Sequence, residues 1–148
     1  MKISDYINPR LIALLDSDSR DQALSQLVQL LDTEGKIKDS AQFLKAITDR
    51  EQIVSTGIGM GVAIPHAKLS DYNDFFLAIA ILNKGVDWQS LDTAPVRLVF
   101  MIGGPDDKQM EYLQILSSLT RAIKDEKRRK KLLTAKSAED IIAIFKDL

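Results

Sequence analysis

Among the 148 residues there is one histidine, and its setting invites chemistry. In the stretch STGIGMGVAIPHAK, Ser55 to Lys68, three alternating glycines (Gly57, Gly59, Gly61) lead into a short apolar run, then Pro65, then His66. A single neutral imidazole can work as a nucleophile. Attack on a phosphoryl group would make phosphohistidine, and such a site needs donors for the phosphoryl oxygens: backbone N–H groups and an arginine. Arg50 is the natural candidate, because a guanidinium fork matches phosphoryl geometry. The glycines fit two roles, a turn that needs positive φ or a nest of bare N–H groups that receives an anion.

Other chemistries are excluded by what is missing. Val62 breaks the dinucleotide pattern G-x-G-x-x-G, and no Gly-Lys-Ser/Thr follows to make a P-loop. There is no G-x-S-x-G elbow for hydrolytic serine work. The chain has no cysteine and no H-E-x-x-H, so thiolate chemistry and a zinc site lack their ligands. No metal and no cofactor is expected.

The elements that must position these residues can be read from periodicity. Ser19 to Leu31 has apolar residues at helical spacing, with Ser19 and Gln22 as a capping box. Asp39 caps a second helix running to about Asp49, which places Arg50 at its close. Ile53-Val54, Val62 to Ile64, Phe75 to Leu82 and Val96 to Ile102 read as strands, with NKGVDW as a turn between two of them. RLVFMIGGP has the near-continuous apolarity of a strand buried on both faces. Met110, Leu113, Leu116, Leu119 and Ile123 mark a long helix from about Lys108, and the SAED box at Ser137 opens a last one. The order α, α, strands, α, α implies one α/β domain over residues 1–148, a mixed central sheet with helices on both faces. His66 then falls at a strand end, where α/β sheets bind ligands.

Composition narrows the partners. Formal net charge is −1, so no global field favours nucleic acid or an acidic membrane. The run KRRKK, Lys127 to Lys131, follows Asp125 and Glu126 and reads as a solvated helical face. The longest apolar run, Phe75 to Leu82, is far short of the roughly 20 residues of a membrane helix. The N-terminal apolar run is too short for a secretory signal. A cytoplasmic protein without membrane insertion is expected. Trp88 reads as core.

REQIVSTGIGMGVAIPHAK, Arg50 to Lys68, resembles the active-site signature of the type-2 EIIA domains of the bacterial phosphoenolpyruvate:sugar phosphotransferase system, the fructose/mannitol and nitrogen-regulatory branch. GVDW, PVRLVFMIGGP and YLQILSSL fall in the family's order, so the resemblance covers nearly the whole chain. It implies the same α/β fold, a phosphoryl group accepted from phospho-HPr on His66, and Arg50 helping to hold it. Thr56, Gly57, Gly59, Gly61 and Tyr112 complete the expected binding set. Tyr112 stands where the family often has a second histidine. The expected onward partner is either the cysteine of an EIIB protein, in sugar uptake, or a regulatory target. The regulatory role is slightly favoured because no fused EIIB or membrane part is present. A binding module on the same fold, without turnover, is the remaining alternative.

Overall fold

A computed structural model describes residues 2–146. A short 3-10 turn, Ile3–Tyr6, leads into β1 (Ile7–Leu15), then α1 (Arg20–Thr33) and α2 (Ser40–Ile53). The middle of the chain holds β2 (Gly57–Gly59), β3 (Val62–Ala63), β4 (His66–Lys68), β5 (Phe76–Val86) and β6 (Val96–Gly104). Three helices close it: α3 (Gln109–Lys124), α4 (Glu126–Thr134) and α5 (Ala138–Ile144).

The six strands form one mixed sheet in the order β1-β5-β6-β3-β2, with β4 also on β6. β6 lies at its centre, and only Arg97 of its nine residues is not buried. This is the doubly buried strand expected from RLVFMIGGP. One face of the sheet packs on α1 and α2 through Leu24, Leu27, Phe43 and Ile47. The other packs on the last three helices through Ile115, Leu119, Ile123 and Phe145. Helices therefore cover both faces, as expected.

The helix starts follow the sequence signals. The side chains of Ser19, Asp39 and Ser137 accept hydrogen bonds from the backbone N–H groups of Gln22, Gln42 and Asp140. One detail differs from a capping box. Gln22 Oε1 reaches past Ser19 to accept from the Asp18 N–H at 2.6 Å.

Several boundaries depart from the sequence reading. Ile53-Val54 is no strand. Helix α2 continues through Ile53, which is 78% exposed, so this apolar pair is a helix end facing solvent. NKGVDW is not a turn, because β5 runs to Val86 and the turn follows Trp88. Trp88 is fully buried, as expected of a core residue. β1 is an added strand, parallel to β5. On α3 the buried stripe is Tyr112, Ile115, Leu119, Ala122 and Ile123, while Met110 is 75% exposed. The basic run forms α4, where Lys130 pairs with Glu126 at 3.3 Å and Arg129 donates to the Ile123 carbonyl at 2.6 Å. It is a helical face with local partners. Among the described residues no helix is long and apolar enough to cross a membrane.

Candidate functional site

β3 and β4 are one strand interrupted beside β6. Val62 and Ala63 pair with Leu98 and Val99, and His66, Ala67 and Lys68 pair with Ile102, Gly103 and Gly104. Pro65 sits in the gap. It has no N–H to give the ladder, yet its carbonyl still accepts from the Ile102 N–H at 2.9 Å. The Ile64 N–H turns the other way and donates to the Thr56 carbonyl at 3.0 Å. Alternation along β4 then sends Ala67 into the α1/α2 core and leaves His66 and Lys68 half-buried on the α3 side.

The His66 ring is held at Nδ1, 3.1 Å from the carbonyl oxygen of Ile64. A carbonyl only accepts, so the contact places the proton of the neutral ring on Nδ1 and the free lone pair on Nε2. Burial lowers the His66 pKa from its usual value, and the positive charges of Arg50 and Lys68 lower it further. The Ile64 contact and the Glu51 charge oppose that shift. The net effect is a neutral imidazole at pH 7, whose Nε2 lone pair is chemically able to act as a nucleophile.

Tyr112 opens the buried stripe of α3 and lies against His66, ring centroids 5.6 Å apart. Phe75 packs on its ring at 6.2 Å. The Lys68 ammonium sits 4.2 Å from the Tyr112 ring centroid and donates to Gln109 Oε1 at 2.8 Å. Burial raises the Tyr112 pKa, and Arg50 opposes the rise. The phenol is neutral at pH 7. Arg50 comes from α2, in the helix layer on the far face of the sheet, and its charge acts on both rings. One Arg50 N–H caps α2 by donating to the Val54 carbonyl at 2.9 Å. A guanidinium carries five N–H donors, so that bond leaves others for a phosphoryl group. Arg50 thus lies in the last turn of α2, at the helix close where it was expected.

The glycines divide. Gly59, Met60 and Gly61 form the β2–β3 turn, all at positive φ (96°, 61° and 77°). This satisfies the turn reading. The Met60 N–H is already taken by Asp92 Oδ2 at 2.9 Å, and β3 enters the sheet opposite Leu98, four residues down β6 from Ile102, the His66 partner. At about 3.3 Å per residue, the turn lies roughly 13 Å from the His66 end. The structure therefore does not bring Gly59 and Gly61 to the imidazole as a nest. Gly57 serves close approach, because a Cβ there would overlap the Ser90 hydroxyl. Thr56 is buried and bonded to Glu51 through both its N–H (3.0 Å) and its hydroxyl (2.6 Å). Two residues of the site went unread in the sequence. Lys68 carried a signal, since a residue two along a strand from His66 shares its face. Glu51 carried none, because a glutamate beside an arginine on an amphipathic helix reads as solvated.

Residues 5–148 match the family model described as phosphoenolpyruvate-dependent sugar phosphotransferase system, EIIA 2. The chain belongs to that family. This EIIA domain is 38% identical over 146 residues to the fructose-specific EIIABC component of Bacillus subtilis (strain 168), covering 98% of this chain and 23% of that protein. The chain thus spans under a quarter of the Bacillus relative's length. It is also 31% identical over 146 residues to the nitrogen regulatory protein of Bradyrhizobium diazoefficiens, covering 98% and 95%. Among solved structures it is similar to the nitrogen regulatory protein IIA-Ntr of Neisseria meningitidis, with a TM-score of 0.90 at 28% identity over 97% of this chain and 98% of that one. EIIA domains are phosphocarrier components of the phosphotransferase system. Sugar-specific and nitrogen-regulatory proteins are both relatives of this one.

Proposed function

We propose that this EIIA domain accepts a phosphoryl group from phospho-HPr on Nε2 of His66, in the cytoplasm. The observation that carries the reading is the 3.1 Å contact of Nδ1 with the Ile64 carbonyl, which leaves Nε2 as the free nucleophile of a neutral ring. In the transfer, the Nε2 lone pair forms the new N–P bond while the bond from phosphorus to the donor breaks, its electron pair leaving with the donor. The ring gains positive charge, and the Ile64 carbonyl accepts from the Nδ1 proton throughout. Arg50 and Lys68, whose charges already act on His66, stabilise the phosphoryl oxygens. Tyr112 supplies a packed wall rather than a second imidazole.

Two onward fates follow from the relatives. A regulatory role is supported by the match over nearly the whole Bradyrhizobium regulatory protein and by the likeness to IIA-Ntr. Delivery to an EIIB cysteine for sugar uptake is supported by the identity to the fructose-specific Bacillus protein. An EIIB that drains phosphate from the purified phosphoprotein assigns transport; retention of the phosphate in its presence assigns signalling.

The accepting step is tested with phosphoenolpyruvate, enzyme I and HPr. The protein should take up acid-labile, base-stable phosphate, and His66→Ala should take up none. Uptake by His66→Ala would refute the assignment. EDTA added to purified phospho-HPr should leave the transfer unaffected.

A further inference from the structure

Below the site lies a buried charge that the transfer step does not use. Glu51 is only 3% exposed. A carboxylate removed from water is costly unless hydrogen-bonded or paired. Here Oε1 accepts from the Thr56 N–H at 3.0 Å and Oε2 from the Thr56 hydroxyl at 2.6 Å. Arg20 Nη1 of α1 approaches Oε1 at 3.8 Å. The Thr56 hydroxyl also accepts from Trp88 Nε1 at 3.3 Å. Three separate segments (α1, the α2 end and the loop after β5) thus meet around the Glu51–Thr56 pair, with Arg20 at the carboxylate and Trp88 at the threonine.

Thr56 leads directly to the imidazole. Its carbonyl takes the Ile64 N–H at 3.0 Å, at the point where Pro65 interrupts the ladder to β6. The Ile64 carbonyl in turn holds His66 Nδ1. At this break Ile64 has no strand partner on β6, so the bond to Thr56 fixes its backbone. We propose that Glu51 is a positioning residue for phosphoryl transfer: by clamping Thr56 it fixes the Ile64 carbonyl that sets the tautomer and aim of His66. The proposal rests on the phosphoacceptor reading above. Its distinctive consequence is a change in the ring itself. A released Ile64 carbonyl lets the neutral imidazole divide between its two tautomers, and the Nε2–H form has no lone pair where the phosphoryl group arrives. In metal sites, the outer groups that orient a ligating histidine are worth about ten- to a hundredfold.

The test combines His66 ring nitrogen NMR on the unphosphorylated protein with single-turnover transfer from phospho-HPr. Two variants are compared, Glu51→Gln, which keeps the shape but not the charge, and Thr56→Val, which removes only the hydroxyl. Wild type should show one tautomer, protonated on Nδ1. Both variants should show a tautomer mixture in a folded protein, with transfer slowed by about tenfold in Glu51→Gln and less in Thr56→Val. A single Nδ1–H tautomer with wild-type rate in either folded variant overturns the proposal. So does a tautomer mixture without slower transfer. Loss of the native spectrum in both variants would make the network scaffold alone and likewise overturn it. Failure of the phosphoacceptor reading is separate: wild type would then take no phosphate whatever its tautomer.

Discussion

The rings of His66 and Tyr112 lie 5.6 Å apart with their planes tilted by 48°, one on a sheet strand and the other on the first turns of α3. Tyr112 meets its neighbours through its ring: His66, Phe75 and the Lys68 ammonium. Removing its hydroxyl leaves those contacts in place. Tyr112→Phe should therefore slow transfer from phospho-HPr by several-fold at most, the worth of about 1 kcal/mol for a neutral hydrogen bond. Arg50→Ala removes a charge-assisted donor and should slow it roughly a hundredfold, about 3 kcal/mol. Arg50 also caps α2, so both variants are compared after their melting curves are matched. A slower Tyr112→Phe would reverse the roles of the two donors.

Lys68 shares its strand face with His66 and acts on it as a positive charge. Lys68→Met keeps the stem and removes the ammonium. Transfer should slow by about tenfold, the low end for a hydrogen bond to a charged group at a half-exposed site. The His66 titration midpoint should rise in the same variant, since a like charge has been removed. An unchanged midpoint would mean that the ammonium does not reach the imidazole.

The His66 pKa is lowered chiefly by burial, with Arg50 and Lys68 adding to it and the Ile64 contact and Glu51 opposing it; Tyr112, the other titratable wall, stays neutral. The NMR titration midpoint of His66 should lie below the ordinary value near 6.5. The sign for stability follows. Between the folded midpoint and 6.5 the unfolded chain binds the proton that folded His66 refuses, so unfolding free energy rises with pH across that window and falls as pH drops through it. Urea unfolding of wild type and His66→Gln over pH 5 to 7 checks this. The slope due to His66 should vanish in the variant, and an identical slope in both would contradict it.

Gly59 sits at φ 96°, and a Cβ there would come within 3.0 Å of Asp92 Oδ2. Gly59→Ala should destabilise the protein by about 1–2 kcal/mol in urea unfolding, the usual cost of a forced left-handed residue. Its phosphorylation rate, measured on folded protein, should match wild type, because the turn lies at the Leu98 end of β6. A large rate loss at unchanged stability would restore the glycines to the phosphoryl site.

The parts of this fold that show in the sequence are those with local causes. Ser19, Asp39 and Ser137 announced their helices because each cap bonds within its own first turn. β1 did not show. Asn8-Pro9-Arg10 reads as loop, and its pairing with β5 joins residues far apart in sequence. Ile53-Val54 was misleading because apolar residues at an exposed helix end imitate a short strand. At the site, the type and setting of His66 were readable, and Arg50 followed from the chemistry it would need. The Thr56–Glu51 clamp was not, since it depends on Trp88 and Arg20 arriving from distant segments. The distance between the glycine turn and the imidazole was hidden too, because it depends on Val62 to His66 running extended beside β6.

The central claim, that the Ile64 carbonyl holds Nδ1 and leaves Nε2 to react, is tested most directly by locating phosphorus on the ring. Protein with nitrogen-15 histidine is phosphorylated by phospho-HPr, and phosphorus–nitrogen coupling is read in the NMR spectrum. Coupling to Nε2 of His66, with the proton retained on Nδ1, is the expected result. Phosphorus on Nδ1, or a His66 that takes up no phosphate, would contradict it.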